Sequence, residues 1–492
     1  MKRFTCKASF FICALLILAI SCGYSYAQIN NEYNLSLEDV TKLALSNNFD
    51  IQLLRYDAMI SETGEGVAES IYDTMLSAEV SYSNDELKKT LPAYGTKTVD
   101  NDYNFGLSKK IPTGTTLGVD VMNNREWTNA SAASNALTHQ TTLKGSIVQE
   151  LGNNFLGIQD RGGVKITLLD IEDSQYTSLA TIESYLAQVQ KAYWDLVLEN
   201  ELVDVSEDMV EQAKSLYDLH QEKLQDGLVE IPEAIASEAN YKKRKNELDL
   251  VRNRAQRKSN KLSLMLNLKD ESTLITPTED MIINGKGDQK TEALKQAFEY
   301  RRDYKIANNG IKNKDINLSM KKNSLWPEID LKVTFSKNGL GDHFDHSGQN
   351  TIDEDNSSLF AGLTFSLPLE NTKARSQLKA AKIEKSKALL NLKYVERKIA
   401  IGIIDSVRDC NVFRDSALTN TEIAELQAKK LEEEESRFNV GRSNTDTLIR
   451  FQEDVIRARE LAALAKYQYM AALIDLEVEK GTLLNTYWEE DK

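Results

Sequence analysis

The stretch NSLWPEIDLKVTFS (residues 323–336) decides the fold. Before it runs a Lys-rich segment with helical spacing. After Trp326-Pro327 the pattern switches to strict alternation, with Ile329, Leu331, Val333 and Phe335 apolar and Glu328, Asp330, Lys332, Thr334 and Ser336 between them. Period-two alternation is the signature of a strand with one apolar face. The stretch SIYDTMLSAEVSYS (residues 70–83) makes the same switch, with Leu76, Ala78, Val80 and Tyr82 in phase. A solvated helix becomes a strand with one greasy face, twice in one chain.

The two stretches lie 253 residues apart, and Asp50 and Asp303 keep that offset upstream. Further on, a second offset takes over. RGGVK at Arg161 answers RSQLK at Arg375, and Gly227 and Gly441 are again 214 apart. A colinear series with one indel marks two copies of one unit, the first carrying 39 extra residues between Asn84 and Arg161. Repeat 1 covers 28–276 and repeat 2 covers 277–484, leaving a C-terminal tail at 485–492.

Each repeat reads helix, strands, very long helix, break, helix. Repeat 1 is predicted to have a helix at 37–72, strands at 76–84, 103–111, 115–122 and 141–149, a long helix at 161–226 and a helix at 232–268. Repeat 2 is predicted to have a helix at 291–325, strands at 328–337 and 358–367, a long helix at 372–438 and a helix at 445–480. None of the six prolines falls inside a long helix, where each would cost about 3 kcal/mol. Roughly 66 residues at about 1.5 Å rise give a rod near 100 Å. Such a rod must pair laterally to bury its apolar stripe.

The N-terminus is a targeting segment, with a positive start at Lys2, Arg3 and Lys7 and the apolar run FFICALLILAI. Small residues at Ser25 and Ala27 set up cleavage of a signal peptide at 1–27. The rival reading is lipidation at Cys22. Cleavage moves the net charge from −15 to −18, which argues against nucleic acid. Cys410 would be the one thiol left, a small residue on a helix face. No later apolar run reaches the roughly 20 residues of a membrane helix, so the mature chain is either soluble outside the cytoplasm or enters a membrane as strands. The strands approach the ~9–11 residues of a membrane-spanning strand. The turns are long and polar at one end and short (PTG, residues 112–114) at the other. Six strands fall short of the ~8 needed to close a barrel alone, and open edges in lipid cost several kcal/mol each. Closure must come from several chains. Trp326 and Pro327, with Pro368, then mark helix–strand junctions at a membrane boundary, Trp326 as an interfacial anchor.

The duplicated unit, LTFSLPLENTKARSQLKAAK (residues 363–382) and the breaks RFNVG…DTLI and KLQDG…PEAI together resemble the TolC-like outer membrane efflux proteins over about 35–484. The fold class implied is mostly α with a membrane β-barrel portion: a periplasmic α-helical coiled-coil barrel plus an outer-membrane β-barrel shared by a trimer. The resemblance implies a homotrimer in the outer membrane of a Gram-negative bacterium with a periplasmic extension, docked to a periplasmic adaptor protein and an inner-membrane transporter. It implies that the breaks at Gly227, Leu228, Val229, Val440, Gly441 and Arg442 touch the adaptor. Members contribute four strands per chain. This chain reads as six, making eighteen in a trimer, unless the PTG hairpin lies outside the wall. The two aspartates that narrow the entrance in such proteins fall here on Thr447 and Arg450, with Asp446 adjacent but out of register. Glu230 and Glu233 at the first break are candidate substitutes.

No catalytic constellation, phosphate loop or paired Cys-x-x-Cys occurs, so neither an enzyme nor a cofactor is expected. GDHFDH (residues 341–346) reads more simply as a solvated loop than as a metal site. LEEEESRF (residues 431–438) reads as a charged helix face, or as negative charge near a tunnel entrance. The expected function is the passive exit duct of a tripartite efflux pump or type I secretion system. The alternatives are a non-channel periplasmic adaptor and a coiled-coil structural protein.

Overall fold

The computed structural model describes residues 32–487, apart from 91, 132, 134, 135, 269–273 and 284–288. The signal segment 1–27 with Cys22, and the tail beyond 487, lie outside the described residues. In chain order the elements are β1 (Glu32–Leu35), α1 (Leu37–Asn47), α2 (Phe49–Glu69), β2 (Thr74–Asp85), β3 (Thr98–Ile111), β4 (Thr115–Thr128), β5 (Leu137–Glu150), α3 (Ile158–Gln225), α4 (Ile231–Leu266) and β6 (Leu274–Pro277). Then follow α5 (Lys290–Tyr300), α6 (Arg302–Asn323), β7 (Glu328–Gly341), α7 (Phe344–Asp353), β8 (Ser357–Ser366), α8 (Thr372–Asn439) and α9 (Thr445–Lys480).

The duplication is metrically strict. Both long helices have 68 residues and both partners have 36, each pair displaced by 214 positions. Even the terminators correspond. Asn267 ends α4 and Gly481 ends α9 in the left-handed conformation, again 214 apart. Sixty-eight residues make a rod of about 100 Å.

Each first helix, expected to run unbroken over 37–72 and 291–325, is instead two helices. The chain breaks at Asn48 (ψ 132°) and at Arg301 (ψ 126°), 253 positions apart. Asn48 Oδ1 accepts from Ile51 N at 3.0 Å, capping α2. Its Nδ2 donates to Met265 O at 2.6 Å and Tyr185 Oη at 2.8 Å. Arg301 binds Glu479 and donates to the Glu479 carbonyl at 3.2 Å. Partners far along the chain thus hold both breaks extended.

Above the breaks, α3 lies against α2 and α6, and α6 against α8, a four-helix layer with α2 and α8 at its edges. Below, α3 pairs with α4, α8 with α9, and α3 with α9. The main core sits midway along α3, where Ile182, Leu186, Val189, Tyr193 and Leu196 meet Val40, Ile51, Leu262, Leu266, Ile275 and Leu484. A parallel pair, β1 with β6, closes this belt. Pro277, where the second repeat begins, is the last residue of β6.

One sheet has the order β2-β3-β4-β5-β7-β8, antiparallel throughout. The PTG hairpin is β3–β4, inside the sheet. Five of the six strands are longer than predicted, four of them 14 residues, while β8 keeps its predicted 10. The polar loop after β7 contains α7, which lies on β5 and β7. α2, α3, α6 and α8 join the sheet at the end that carries the PTG turn, and α7 lies at the opposite end.

Candidate channel wall and helix-break tips

The register puts most apolar strand positions on one face, with Met75, Met122, Val148, Leu340 and Phe360 on the other. Leu76 stands opposite Leu107, Leu107 opposite Val119, Ile147 opposite Val333, and Phe335 opposite Leu359. Leu76, Phe105, Val119, Phe335, Leu359 and Leu363 are all more than half exposed. An exposed apolar patch across six strands far exceeds what soluble monomers show. The other face is polar: Glu79, Asp102, Asp120, Lys144, Lys332 and Ser336 lie on it. There Lys144 Nζ pairs with Asp120 at 3.3 Å, and Ser81 and Asn124 donate to Asp102 at 3.0 and 2.7 Å. An apolar-out, polar-in alternation is what a lipid-facing barrel wall with a wet interior requires.

The junctions explain the Trp-Pro punctuation. Pro327 O accepts from Asn153 N at 3.0 Å, and Leu151 N donates to Ile329 O at 2.7 Å. The end of β5 therefore locks onto the start of β7. Gly157 (φ +66°) packs so tightly on the PTG turn that a Cβ would strike Pro112 O. Trp326, two residues before β7, is 62% exposed, free to meet an interface. Pro368 lies in the extended link from β8 to α8.

At the far end of the rods both long helices stop alike. Gly227 N donates to Leu224 O and Leu228 N to Lys223 O; Gly441 N donates to Phe438 O and Arg442 N to Arg437 O. This is the Schellman pattern, with Gly227 at φ +69° and Gly441 at φ +74°. Leu228 and Val440 are 73% and 67% exposed, apolar side chains offered at the tips. Val229 is half-buried and Arg442 exposed. Among the candidate entrance residues, Glu230 stands at the N-terminal boundary of α4 without a side-chain capping bond and is exposed, and Glu233 O accepts from His220 Nδ1 at 3.3 Å. Thr447 N donates to Asn444 Oδ1 at 2.9 Å, capping α9. Asp446 is exposed in the first turn of α9, and the Arg450 guanidinium lies 5.7 Å from the Phe451 ring. Among the described residues no ion pair joins these groups within one chain.

The acidic run 431–438 divides by face. Leu431 enters the tip core with Met209, Leu216, Leu448 and Val455. Glu434 is buried, bound by Ser443 and by Arg437 at 3.3 Å. Burial, then Glu432, pushes the Glu435 carboxyl up. Glu435 faces a cleft of about 420 Å³ with Asp208, Glu211 and Gln212. In GDHFDH, His346 Nδ1 meets Asp342 Oδ1 at 2.7 Å, and His343 precedes α7. Among the described residues no group of three or more His, Cys, Asp or Glu could hold a metal ion. Cys410 is buried and its Sγ donates to Ala472 O at 3.2 Å.

Sequence reasoning missed the buried pair of Arg302 Nη1 and Glu183 Oε2, 2.6 Å apart. Leu484 N also donates to Glu183, at 3.1 Å. Burial nevertheless pushes the Glu183 carboxyl up, against the pull of Arg302 and the Leu484 N–H. The only sequence signal was a Glu among the apolar positions of a long helix.

Solved bacterial outer membrane channels superpose on this chain over most of its length. A membrane protein from Pseudomonas aeruginosa superposes with a TM-score of 0.69 at 15% identity, over 90% of this chain and 93% of that one. The CmeC outer membrane channel of Campylobacter jejuni gives 0.65 at 16%, over 93% and 87%. The outer membrane protein VceC of Vibrio cholerae gives 0.67 at 12%, over 90% and 96%. This chain has the TolC-like outer membrane channel fold. No protein-family profile matches the sequence, and no curated protein does. Within the TolC-like fold, no helix of the described residues is long and apolar enough to cross a membrane; the apolar surface is concentrated on the sheet.

Proposed function

We propose that the chain is the outer-membrane exit duct of a tripartite efflux pump or type I secretion system, acting as a passive homotrimer. One observation carries this reading: a single chain is an open arc with two unpaired, apolar edges. On one edge α2 runs into β2, with Tyr56, Met59 and Leu76 exposed; on the other β8 runs into α8, with Leu363, Leu390 and Tyr394 exposed. Along the six strands direction alternates, so β2 and β8 are antiparallel and a second copy continues the pattern. Unpaired strand edges do not persist in lipid, so copies seal one another. Three arcs of four helices give a ring of twelve.

The fold shared with outer membrane channels supports the same reading. The apolar sheet face sits in the outer membrane, Trp326 at its boundary, and the rods extend into the periplasm. Leu228, Val229, Val440 and Arg442, presented by Gly227 and Gly441, are the adaptor contacts. Glu230, Glu233, Asp446, Thr447 and Arg450 ring the entrance, closing it until the adaptor and an inner-membrane transporter draw the α8–α9 pair outward. The energy comes from that transporter.

The test is the assembly state and conductance of the mature protein extracted from outer membranes. A trimer that conducts in planar bilayers is expected, with conductance changed by neutralising Asp446 and Arg450 together. A stable, water-soluble monomer without conductance overturns the proposal.

A further inference from the structure

We infer that the membrane segment of the duct is an eighteen-stranded barrel as wide as its helical tunnel, because the inserted β3–β4 hairpin is part of the lipid-facing wall. This rests on the trimeric duct proposed above and specifies its bore.

The hairpin is integrated on both sides. β3 pairs with β2 over 12 residue positions and β4 pairs with β5 over 13. It is not an excursion from the sheet but two of its central strands. Its faces match those of the other strands. Phe105, Leu107, Val119 and Val121 continue the apolar band that runs from Ala78 to Ile147, Val333 and Ala361. Asp102, Asn104, Asp120 and Asn124 continue the polar face. A hairpin folded into the lumen or onto the membrane surface would need no such band. Its short turn, held by Gly114 (φ +73°) against the residue 150–157 junction, sits at the helical end, where the sheet meets α2, α3, α6 and α8.

Geometry then sets the width. With strands about 4.8 Å apart and tilted about 35–45°, eighteen strands close a barrel about 34–39 Å across between backbones. Twelve strands give about 23–26 Å by the same relation. Twelve helices at about 9 Å between axes close a ring about 35 Å across. The insertion therefore lets tunnel and membrane pore meet at equal bore. Cargo that clears the periplasmic entrance meets no narrower wall in the membrane, which suits bulky solutes or polypeptide over small ions alone.

The test places single cysteines, in a Cys410→Ala background, at Leu107, Val119 and Leu363 in the full mature protein. Each is labelled with an environment-sensitive fluorophore and the protein is reconstituted in vesicles. Leu363, on β8, reports whether the sheet faces lipid at all; Leu107 and Val119 report the hairpin. We expect brominated lipid to quench all three equally and aqueous iodide to quench none. Lipid quenching at Leu363 with iodide quenching at Leu107 and Val119 overturns the eighteen-stranded wall and leaves the duct standing. Iodide quenching at all three overturns both. Particle images of the trimer in nanodiscs give an independent reading: a barrel near 36 Å is expected, and one near 24 Å refutes the inference.

Discussion

At the scale of single residues, backbone geometry and buried charge matter most. Gly227 and Gly441 have no atom within 4 Å of a would-be Cβ, so Ala there clashes with nothing. Its cost is the left-handed conformation, about 1 kcal/mol per site. Gly227→Ala and Gly441→Ala are expected to speed amide exchange across the tips while leaving global unfolding nearly unchanged, which hydrogen-exchange mass spectrometry will read. Arg302 and Glu183 are another matter. Glu183→Ala strands a buried guanidinium and an amide, and breaking such a pair costs about 3–5 kcal/mol. Thermal unfolding should drop sharply for Glu183→Ala and recover in Glu183→Leu with Arg302→Met. A double variant no more stable than the single would show that the pair is not what joins α6 to α3.

Among the elements, α7 and the helical tips respond to different variables. α7 seats directly on strand backbone: a Cβ on Gly341 would fall 2.6 Å from Ser347 N, and one on Gly339 would strike Thr351 N. Thr351 Oγ1 also donates to Thr141 O at 3.1 Å. Gly339→Val is therefore expected to lift α7 and open residues 342–356 to protease, with helical circular dichroism unchanged. The tips respond to pH. Burial, then Glu432, pushes the Glu435 carboxyl above its usual 4.5. The folded state then binds this proton more tightly than the unfolded one. Stability from this group is greatest below the ordinary carboxylate range and is lost as pH rises through the raised value. Tip amides, corrected for intrinsic exchange, are expected to be better protected at pH 5 than at pH 7.

The whole molecule is an arc with a sign. Its polar sheet face carries Glu79, Asp100, Asp102, Asp120, Glu126 and Asp330 against Lys144, Lys332 and Lys110 near the junction. In the proposed trimer that face lines the pore, and clustered charge of one sign concentrates counter-ions. Reversal potentials in a salt gradient are expected to show cation preference. Neutralising Asp100, Asp102 and Glu126 together should reduce it, and an anion-selective wild type would contradict the orientation of the sheet.

The sequence by itself determined the duplication, the rod lengths, the alternation of the strands and the glycine reversals at both tips. These are local: helical and strand periods, proline avoidance and the left-handed preference of glycine act within a few residues. Tertiary structure decided where the first helices break, because Asn48 is held by Met265 and Arg301 by Glu479, more than 170 positions away. Asn48 was at least a visible capping residue in ALSNNFD, whereas Arg301 carried no local signal. Tertiary structure alone also placed β4 beside β5 and β5 beside β7, and so put the inserted hairpin within the sheet. It folded the polar loop into α7 against glycines 339 and 341, and gathered the core midway along α3. Those outcomes depend on which distant surfaces meet, and no period in the chain encodes that.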